Sequence, residues 1–403
     1  MASSHRLSQS YSSPPPALQS PTLDAFDSNG WLKRWEGVMA RDLMDAAVVK
    51  VDAESSVEEA CDKLLSSTLP CLVVESTDPD HPFAGLFDFS DVNAFLTIAA
   101  TSHACTPEEL SAAPPVEKIV NAARKGKVPV RLVSNISEKN PLEVIAHDAT
   151  VVDLLQVFSR GTHRVFIRSP DWQDYMGMVS DGRLLTWLQS FAAETASLQP
   201  FMNRPLSTLP LSSIDIFDAV VSCKSTDVVL DAMKLMSEEG VSSVAVIDET
   251  TNTLHSAISV TDIGKVVVPS SSNQILSTPL RQFINHVRDP LGAHDGAERY
   301  PVYSVSPSST LDYTIQKLLA TSAHRLFVTR ESGPATPLVS SASANLQGLV
   351  SIVDVLSLFA RLAKLPNVDP TTMKRHRRAS SASSAGERSR SGSRAGMGKS
   401  PGA

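Results

Sequence analysis

The chain has 403 residues, 42% of them hydrophobic and 20% charged, with a formal net charge of −7. These values are typical of a folded protein of about two or three domains. Residues 366–403 carry eight Lys or Arg against two acidic residues, so this tail is +6 and the rest of the chain is −13. An acidic body argues against a nucleic-acid or anionic membrane surface, because both need a dense positive field.

The two ends of the chain differ in composition from the body. Residues 1–30 are rich in Ser and Pro, and residues 366–403 in Ser, Gly, Ala and Arg, so both are predicted to be disordered. The N-terminus has no apolar h-region, and no apolar run reaches the roughly 18 residues of a membrane span. We therefore expect a soluble, intracellular protein.

The four cysteines are Cys61, Cys71, Cys105 and Cys223, which lie far apart in the sequence. They form no C-x-x-C pair and no Cys/His cluster at metal-ligand spacing. The sequence therefore predicts reduced thiols near a core in a reducing compartment, and no metal site.

The stretch WLKRWEGVMARDLM (31–44) comes before the first repeat described below. Trp31 and Trp35 share one helical face at i, i+4 spacing. This face could dock a partner, but packing onto the first pair of repeats is the favoured prediction.

Four segments each combine a β-branched run, a capping residue and a helix with apolar positions at i, i+3, i+4 and i+7. The four apolar faces are Val57, Ala60, Cys61 and Leu64; Val151, Leu154, Leu155 and Phe158; Val229, Ala232, Met233 and Met236; and Leu311, Thr314, Ile315 and Leu318. The repetition predicts four copies of one structural unit, because each unit must bury its apolar face against a neighbour.

Each helix is followed by an apolar strand and then by a second strand that ends in a polar motif. The first strands are CLVV (71–74), RVFI (164–167), VAVI (244–247) and RLFV (325–328). The motifs are GLFDFSDVNAFL (85–96), GMVSDGRLLTWL (177–188), SAISVTDIGKVV (256–267) and GLVSIVDVLSLF (348–359).

The four units fall into a duplicated pair. Asp91 and Asp262 are 171 residues apart, and so are Arg183 and Asp354. The sequence thus predicts an α/β (α+β) fold of β-α-β-β-α repeats in two tandem pairs, joined near 198–206, where Pro200 and Pro205 interrupt a helical stretch. The predicted repeats are 38–104, 133–197, 205–270 and 277–365.

The unit resembles the cystathionine β-synthase (CBS) domain, whose second strand ends in G-h-h-[ST]-x-x-D before an apolar helix. The resemblance implies paired domains (Bateman modules) with a cleft that commonly binds AMP, ADP or ATP. The motif Asp would bind ribose hydroxyls and the neighbouring Ser or Thr would lie near phosphate. The matching residues are Asp91 in the first repeat, Ser259, Thr261 and Asp262 in the third, and Ser351 and Asp354 in the fourth.

Two of the four motifs depart from the family pattern. In the first, Asp88 replaces the hydroxyl residue and places a second negative charge near the phosphate position. In the second, Ser180 is present but Arg183 replaces the Asp, and an Arg cannot accept a hydrogen bond from ribose. We therefore expect no anionic ligand at the first motif and no standard nucleotide at the second.

A His-Arg pair opens the strand after the first helix in two alternate repeats. These pairs are His163-Arg164 and His324-Arg325. The γ subunit of AMP-activated protein kinase has a similar pair at this place, where it contacts phosphates, so the resemblance implies an anion site. The alternative is basic residues that pack or form salt bridges at the strand edge.

At a finer level the chain is similar to the fungal Sds/Moc family, which has four CBS repeats and low-complexity tails. The resemblance rests on SRGTHRVFI, SDGRLL, VSSVAVID with ISVTDI, and SAHRLFV with GLVSIVDVLSLFARL. It implies an inhibitor of a type-2A-like protein phosphatase, acting in cell-cycle, nutrient and stress signalling in cytoplasm and nucleus. The resemblance implies no required cofactor, and it leaves open whether the protein forms a homodimer.

The sequence contains no Walker loop, no G-x-S-x-G and no H-E-x-x-H, so no catalytic residues are predicted. The second hypothesis is a nucleotide-sensing regulatory subunit like that of the kinase named above.

The basic tail carries a separate prediction. KRHRR (374–378) before Ser380 predicts a nuclear-import patch with a phosphorylation site, or a solvated basic tail without a receptor.

Overall fold

The four predicted repeats are present in the structure, a computed structural model. It describes residues 28–368 except 68, 77–82, 172–173, 215–219, 269–272, 289–302, 330–345 and 367. The predictions for most of both tails, including Ser380, lie outside the described residues. A helix begins at Ser28. The prediction that the disordered tail extends to residue 30 is therefore wrong for residues 28–30.

Each repeat forms its own three-stranded sheet, in which the first strand pairs parallel to the second and the second antiparallel to the third. The other two repeats follow the same rule. The strands are β1 (Lys50–Val51), β2 (Cys71–Glu75), β3 (Phe83–Asp88), β4 (Val144–Ile145), β5 (Arg164–Arg168), β6 (Tyr175–Ser180), β7 (Ser222–Lys224), β8 (Ser243–Ile247), β9 (Leu254–Ser259), β10 (Ser304–Val305), β11 (Arg325–Thr329) and β12 (Leu346–Ser351).

One helix connects the first two strands of each repeat, and another follows the third strand. The α-helices are α1 (Ser28–Glu36), α2 (Val57–Ser66), α3 (Phe89–Thr101), α4 (Pro107–Ser111), α5 (Pro114–Arg124), α6 (Val151–Phe158), α7 (Asp181–Glu194), α8 (Gln199–Met202), α9 (Val229–Glu238), α10 (Val260–Val267), α11 (Leu280–Arg288), α12 (Leu311–Ala320) and α13 (Ile352–Leu362). Short 3₁₀ helices span Ala40–Leu43, Ser102–Ala104, Val130–Leu132, Ala196–Leu198, Leu206–Thr208, Ser212–Ile214 and Asn273–Ser277.

The polar residue of each motif begins the second helix of its repeat. Asp88, Ser180, Ser259 and Ser351 are the N-cap residues of α3, α7, α10 and α13, and each side chain accepts a hydrogen bond from a backbone amide of the first helical turn. A cap supplies an acceptor for amides that have no partner within the helix. The motif therefore has a local structural role in all four repeats, whatever it binds.

The apolar faces of the helices meet across the two pairs. One core combines the second and fourth repeats, with α13 packed on α6 and α7. A second core combines the first and third repeats, with α3 packed on α9 and α10. Smaller clusters join the sheets of the first and second repeats and of the third and fourth. The contacts thus give the cyclic order first, second, fourth, third.

Trp31 and Trp35 are both buried and pack on the second repeat, which belongs to the first pair as predicted, and Trp35 also contacts the fourth repeat. Trp35 makes edge contacts with Phe191 of α7 and Phe359 of α13, at centroid distances of 5.8 and 6.3 Å. The helix α1 therefore belongs to the core that the second and fourth repeats share, and does not pack on the first pair alone.

None of the helices in the described ranges combines the length and apolarity that a membrane crossing needs.

Candidate functional site

A cavity of about 670 Å³ lies where all four repeats meet. The sequence predicted ten ligand-binding residues, and the fold brings most of them to this one cavity although they come from three different repeats. Those that line it are His163, Arg164, Ser259, Thr261, Asp262, His324 and Arg325.

The motif of the fourth repeat is not among the residues that line the cavity. Ser351 and Asp354 are 8% and 2% exposed, and the Ser351 amide and Oγ both donate to Asp354 Oδ2 at 2.8 and 2.6 Å. These two residues form the capping box of α13, and buried capping groups cannot meet a ligand in the cavity without a rearrangement.

Asp91 of the first repeat also lies away from the cavity lining and is only 2% exposed. Its Oδ1 accepts from the Ser137 amide at 3.0 Å and its Oδ2 from the Asp88 amide at 3.2 Å. Burial and the neighbouring Asp88 charge raise the pKa of Asp91 to about 7. A ribose would have to displace the segment around Ser137 before it could reach this carboxylate.

Asp88 takes part in a buried network at the wall of the cavity. Its Oδ2 lies 3.0 Å from Arg164 Nη1 and 2.5 Å from Asn140 Nδ2, while its Oδ1 caps α3. Because Arg164 pairs with this carboxylate, its charge is already balanced within the first pair. The expectation of no anionic ligand beside Asp88 therefore has a structural reason.

The second pair places two cationic side chains, Arg325 and Lys265, in the wall of the cavity. Arg325 faces the hydroxyl of Ser242, at 3.3 Å from Nη2 to Oγ, and Lys265 lines the cavity nearby. Ser259 donates its amide and Oγ to Asp262 Oδ2 at 2.9 and 2.7 Å. This half of the cavity thus offers cations and hydroxyl donors for phosphate beside one carboxylate for hydroxyls.

The second motif departs from the family pattern in the way that the sequence indicates. Arg183 is exposed and does not line the cavity. Ser180 Oγ donates to Asp45 Oδ2 at 2.5 Å and accepts from the Arg183 amide at 3.0 Å. The Ser180 hydroxyl and the Arg183 backbone amide therefore both make hydrogen bonds within the chain.

A cluster that the sequence did not predict lies beside the two His-Arg pairs. Nδ1 of His163 is 2.7 Å from Asp181 Oδ2, and Nδ1 of His324 is 3.5 Å from the same oxygen. Burial lowers the pKa of His163, whereas the two histidines lower the pKa of Asp181 in spite of its burial. These three residues could hold a metal ion. The only sequence signal is an Asp after the capping Ser180.

The cysteines agree with the prediction of free thiols, and three of the four are buried. Burial raises the pKa of Cys71 to about 11 and those of Cys61 and Cys223 to about 12. Cys105 differs because it is exposed.

Comparisons with known proteins agree with the repeat structure. The CBS domain family model matches residues 211–268. The crystal structure of protein MJ1225 from Methanocaldococcus jannaschii, described as a candidate archaeal homolog of g-AMPK, superimposes with a TM-score of 0.53 and 14% identity, over 80% of this chain and 100% of that one. This likeness shows the fold.

Two curated relatives match most of the chain. "Protein sds23" of Aspergillus niger is 31% identical over 88% of this chain and 78% of its own length. "Protein SDS23" of Yarrowia lipolytica is 30% identical over 93% of this chain and 76% of its own length. The chain therefore belongs to the Sds23 family of CBS-domain proteins.

Proposed function

We propose that the chain is a non-enzymatic regulator that inhibits a type-2A-like protein phosphatase, and that its central cavity binds an adenine nucleotide. The observation that carries the nucleotide part is the cavity at the meeting point of the four repeats, with Arg325, Lys265 and Asp262 in its wall. A ligand there would contact three or four repeats at once, so its affinity would depend on their relative positions.

The polar groups divide into two sets that fit the two ends of a nucleotide. Arg325, Lys265 and the hydroxyls of Ser242, Ser259 and Thr261 can donate to phosphate. Asp262 can accept from vicinal ribose hydroxyls. Apolar side chains such as those of Leu65, Leu69 and Ile258 also line the cavity and offer packing for a base.

Calorimetric titration of the full chain with AMP, ADP and ATP tests this part. We expect binding, and we expect Arg325→Ala and Asp262→Ala each to raise the Kd by about tenfold. This factor corresponds to about 1.4 kcal/mol, which is the loss expected for one charged contact. Arg183→Ala is the matched control, because Arg183 is exposed and outside the cavity. No heat at about 1 mM of any of the three nucleotides would refute the nucleotide part.

The phosphatase part of the proposal rests on family membership and on the similarity to the Sds/Moc family, not on the cavity. The acidic body, at −13 without the tail, suits a basic surface on the partner. Capture of the partner from a fungal lysate, with identification by mass spectrometry, should enrich a phosphatase catalytic subunit. Addition of the purified chain should then lower the activity of that phosphatase.

The second candidate function is an adenine-nucleotide-sensing subunit of a kinase complex. It is favoured by the two His-Arg pairs, which both reach the cavity. The same capture experiment separates the two functions, since enrichment of kinase subunits without a phosphatase would favour the second.

For location we propose both cytoplasm and nucleus, with KRHRR (374–378) as the import patch and Ser380 as its switch. Phosphate would add about −1.5 to −2 charges beside the patch. Ser380→Asp should therefore lower the nuclear fraction of a fluorescently tagged chain. An unchanged fraction would contradict the switch.

A further inference from the structure

The side chains of His163, Asp181 and His324 converge on one point at the edge of the central cavity. Their ligand atoms all lie within 4.8 Å of one another. His163 comes just before β5, Asp181 is the first residue of α7, and His324 comes just before β11. We propose that these three residues form a binding site for a divalent first-row transition metal ion such as Zn²⁺.

The distances are close to those that a bound ion requires. Ligand atoms about 2.0–2.2 Å from a tetrahedral ion are about 3.3–3.6 Å apart. The separation of His324 Nδ1 from Asp181 Oδ2 is 3.5 Å, already within this range, while that of His163 Nδ1 is 2.7 Å. The two imidazole rings lie 4.8 Å apart, centroid to centroid, at 65°. Small rotations of the rings would bring both nitrogens to an ion placed between them and the carboxylate.

The donor set identifies the class of ion. Two imidazole nitrogens and one carboxylate oxygen are typical ligands of Zn²⁺ and of other divalent first-row metals. Mg²⁺ and Ca²⁺ instead favour sites made of oxygen atoms. The site should therefore select a transition metal over these two ions.

The backbone holds Asp181 and His163 in place before any ion arrives. The Asp181 amide donates to the His163 carbonyl at 3.1 Å, and Asp181 Oδ1 accepts from the Gly182 amide at 2.7 Å. Only Oδ2 thus faces the histidines. Metal ligands in proteins are usually oriented by such hydrogen bonds.

Two guanidinium groups directly follow the two histidines in the sequence, those of Arg164 and Arg325. Arg164 is paired with Asp88 at 3.0 Å, and Arg325 Nη2 donates to Ser242 Oγ at 3.3 Å. The side chain of Asp181 is 2% exposed, whereas that of His324 is 44% exposed. An ion could therefore enter from the His324 side, where its remaining coordination positions would face the cavity. The metal site does not depend on the proposed nucleotide.

The test uses the full chain, freed of any polyhistidine tag and of metal, in a Cys105→Ser background that removes the exposed thiol. Addition of Co²⁺ should produce visible ligand-field bands at one equivalent, and Zn²⁺ should abolish them by displacement. Calorimetry should give the same stoichiometry for Zn²⁺. Excess Mg²⁺ should leave the Co²⁺ bands unchanged.

Three variants locate the site. Asp181→Asn, His163→Ala and His324→Ala should each lower metal affinity by more than about 100-fold, because the loss of a residue that only supports a ligand costs about 10–100-fold. His103→Ala is the matched control, because His103 is exposed and far along the chain from the cluster. If Asp181→Asn fails to fold, His324→Ala still tests the proposal. The His324 side chain is the most exposed of the three, so its removal should disturb folding least.

The absence of one-equivalent binding by the parent chain at about 100 µM metal would overturn the proposal. So would binding that persists unchanged in folded His324→Ala, because the ion would then be held elsewhere. Since the readouts contain no nucleotide, failure here leaves the nucleotide proposal standing, and failure of nucleotide binding leaves the metal site standing.

Discussion

The charge of Asp88 makes the two halves of the cavity electrostatically different. Its carboxylate pairs with Arg164, whereas the equivalent N-cap in the third repeat is the neutral Ser259. One substitution within a repeated motif therefore makes the two pairs electrostatically unequal. This difference leads to a test by exchange of the residue.

Asp88→Ser should tighten nucleotide binding by about tenfold or more, because it frees Arg164 and removes one negative charge from the cavity wall. Ser is as good an N-cap as Asp, so α3 should keep its start. Titration of both proteins at equal ionic strength measures the change. Asp148→Ser, which removes the same charge from an exposed turn, should have no effect. An unchanged affinity of Asp88→Ser would contradict the role given to Asp88.

Asp91 should make stability depend on pH, because its pKa of about 7 in the folded chain exceeds the unfolded value of about 3.9. The folded state then holds an extra proton between about pH 4 and pH 7. The wild type should lose stability relative to Asp91→Asn as the pH rises through this window, by up to about 1.4 kcal/mol per unit of pKa difference.

Urea unfolding of both proteins at pH 5 and pH 8 measures this effect. The subtraction removes the titration of the other groups, such as His163, that are common to both. Asp262→Asn, the same change at the equivalent but less buried cap, is the matched control. If the difference in free energy of unfolding between wild type and Asp91→Asn stays constant over pH 5–8, the pKa of Asp91 is not raised in the folded chain.

Helix packing between the first and third repeats depends on a glycine. A Cβ added to Gly264 of α10 would fall inside van der Waals distance of the Phe89 ring at the start of α3. The two helices therefore approach more closely than any larger residue would allow. The sequence shows a Gly inside a helical pattern but not the neighbour that requires it.

Gly264→Ala should destabilise the chain by about 1 kcal/mol. Overpacking costs about 1–3 kcal/mol, and the better helix propensity of Ala returns up to about 1 kcal/mol. Gly30→Ala in α1, where nothing lies within 4 Å of the new Cβ, should be neutral or stabilising. Urea midpoints measure both changes, and an equal response of the two helices would contradict the packing argument.

At the scale of the whole molecule, the two tandem pairs hold each other together. Each of the two large cores takes one repeat from each pair. Polar contacts cross between the pairs as well: Asn93 Nδ2 of the first repeat donates to the Met233 carbonyl at 3.2 Å, and Lys139 Nζ to that of Val241 at 2.8 Å. Neither pair buries its helices without the other.

Expressed alone, residues 1–204 and residues 205–403 should each aggregate or self-associate, because each exposes half of both cores. Co-expressed, they should form a soluble complex with one copy of each half. Size-exclusion chromatography with light scattering measures the masses. Two halves that are each monomeric and folded would contradict the shared cores.

Short-range patterns were sufficient for much of this protein. The helical periodicity, the capping residues and the 171-residue duplication predicted four β-α-β-β-α repeats. The CBS motif pointed to Asp262, and the resemblance to the kinase γ subunit pointed to both His-Arg pairs. Apart from the duplication, which is a comparison of two such patterns, these features depend on residues within a few turns of one another, so they can be seen in the sequence. The confirmed fold class and the seven predicted residues around the cavity follow from them.

Only the tertiary structure decided which repeats share a core, and with it which motifs are open. Asp91 is covered by Ser137, Asp354 is buried in its cap, and Asp181 meets His324 across 143 residues of sequence. No local pattern records such contacts, because they depend on how distant apolar faces pack and on the charges that this packing brings together. The sequence by itself determined the repeated unit, and packing between the pairs determined the central cavity and the cluster at its edge.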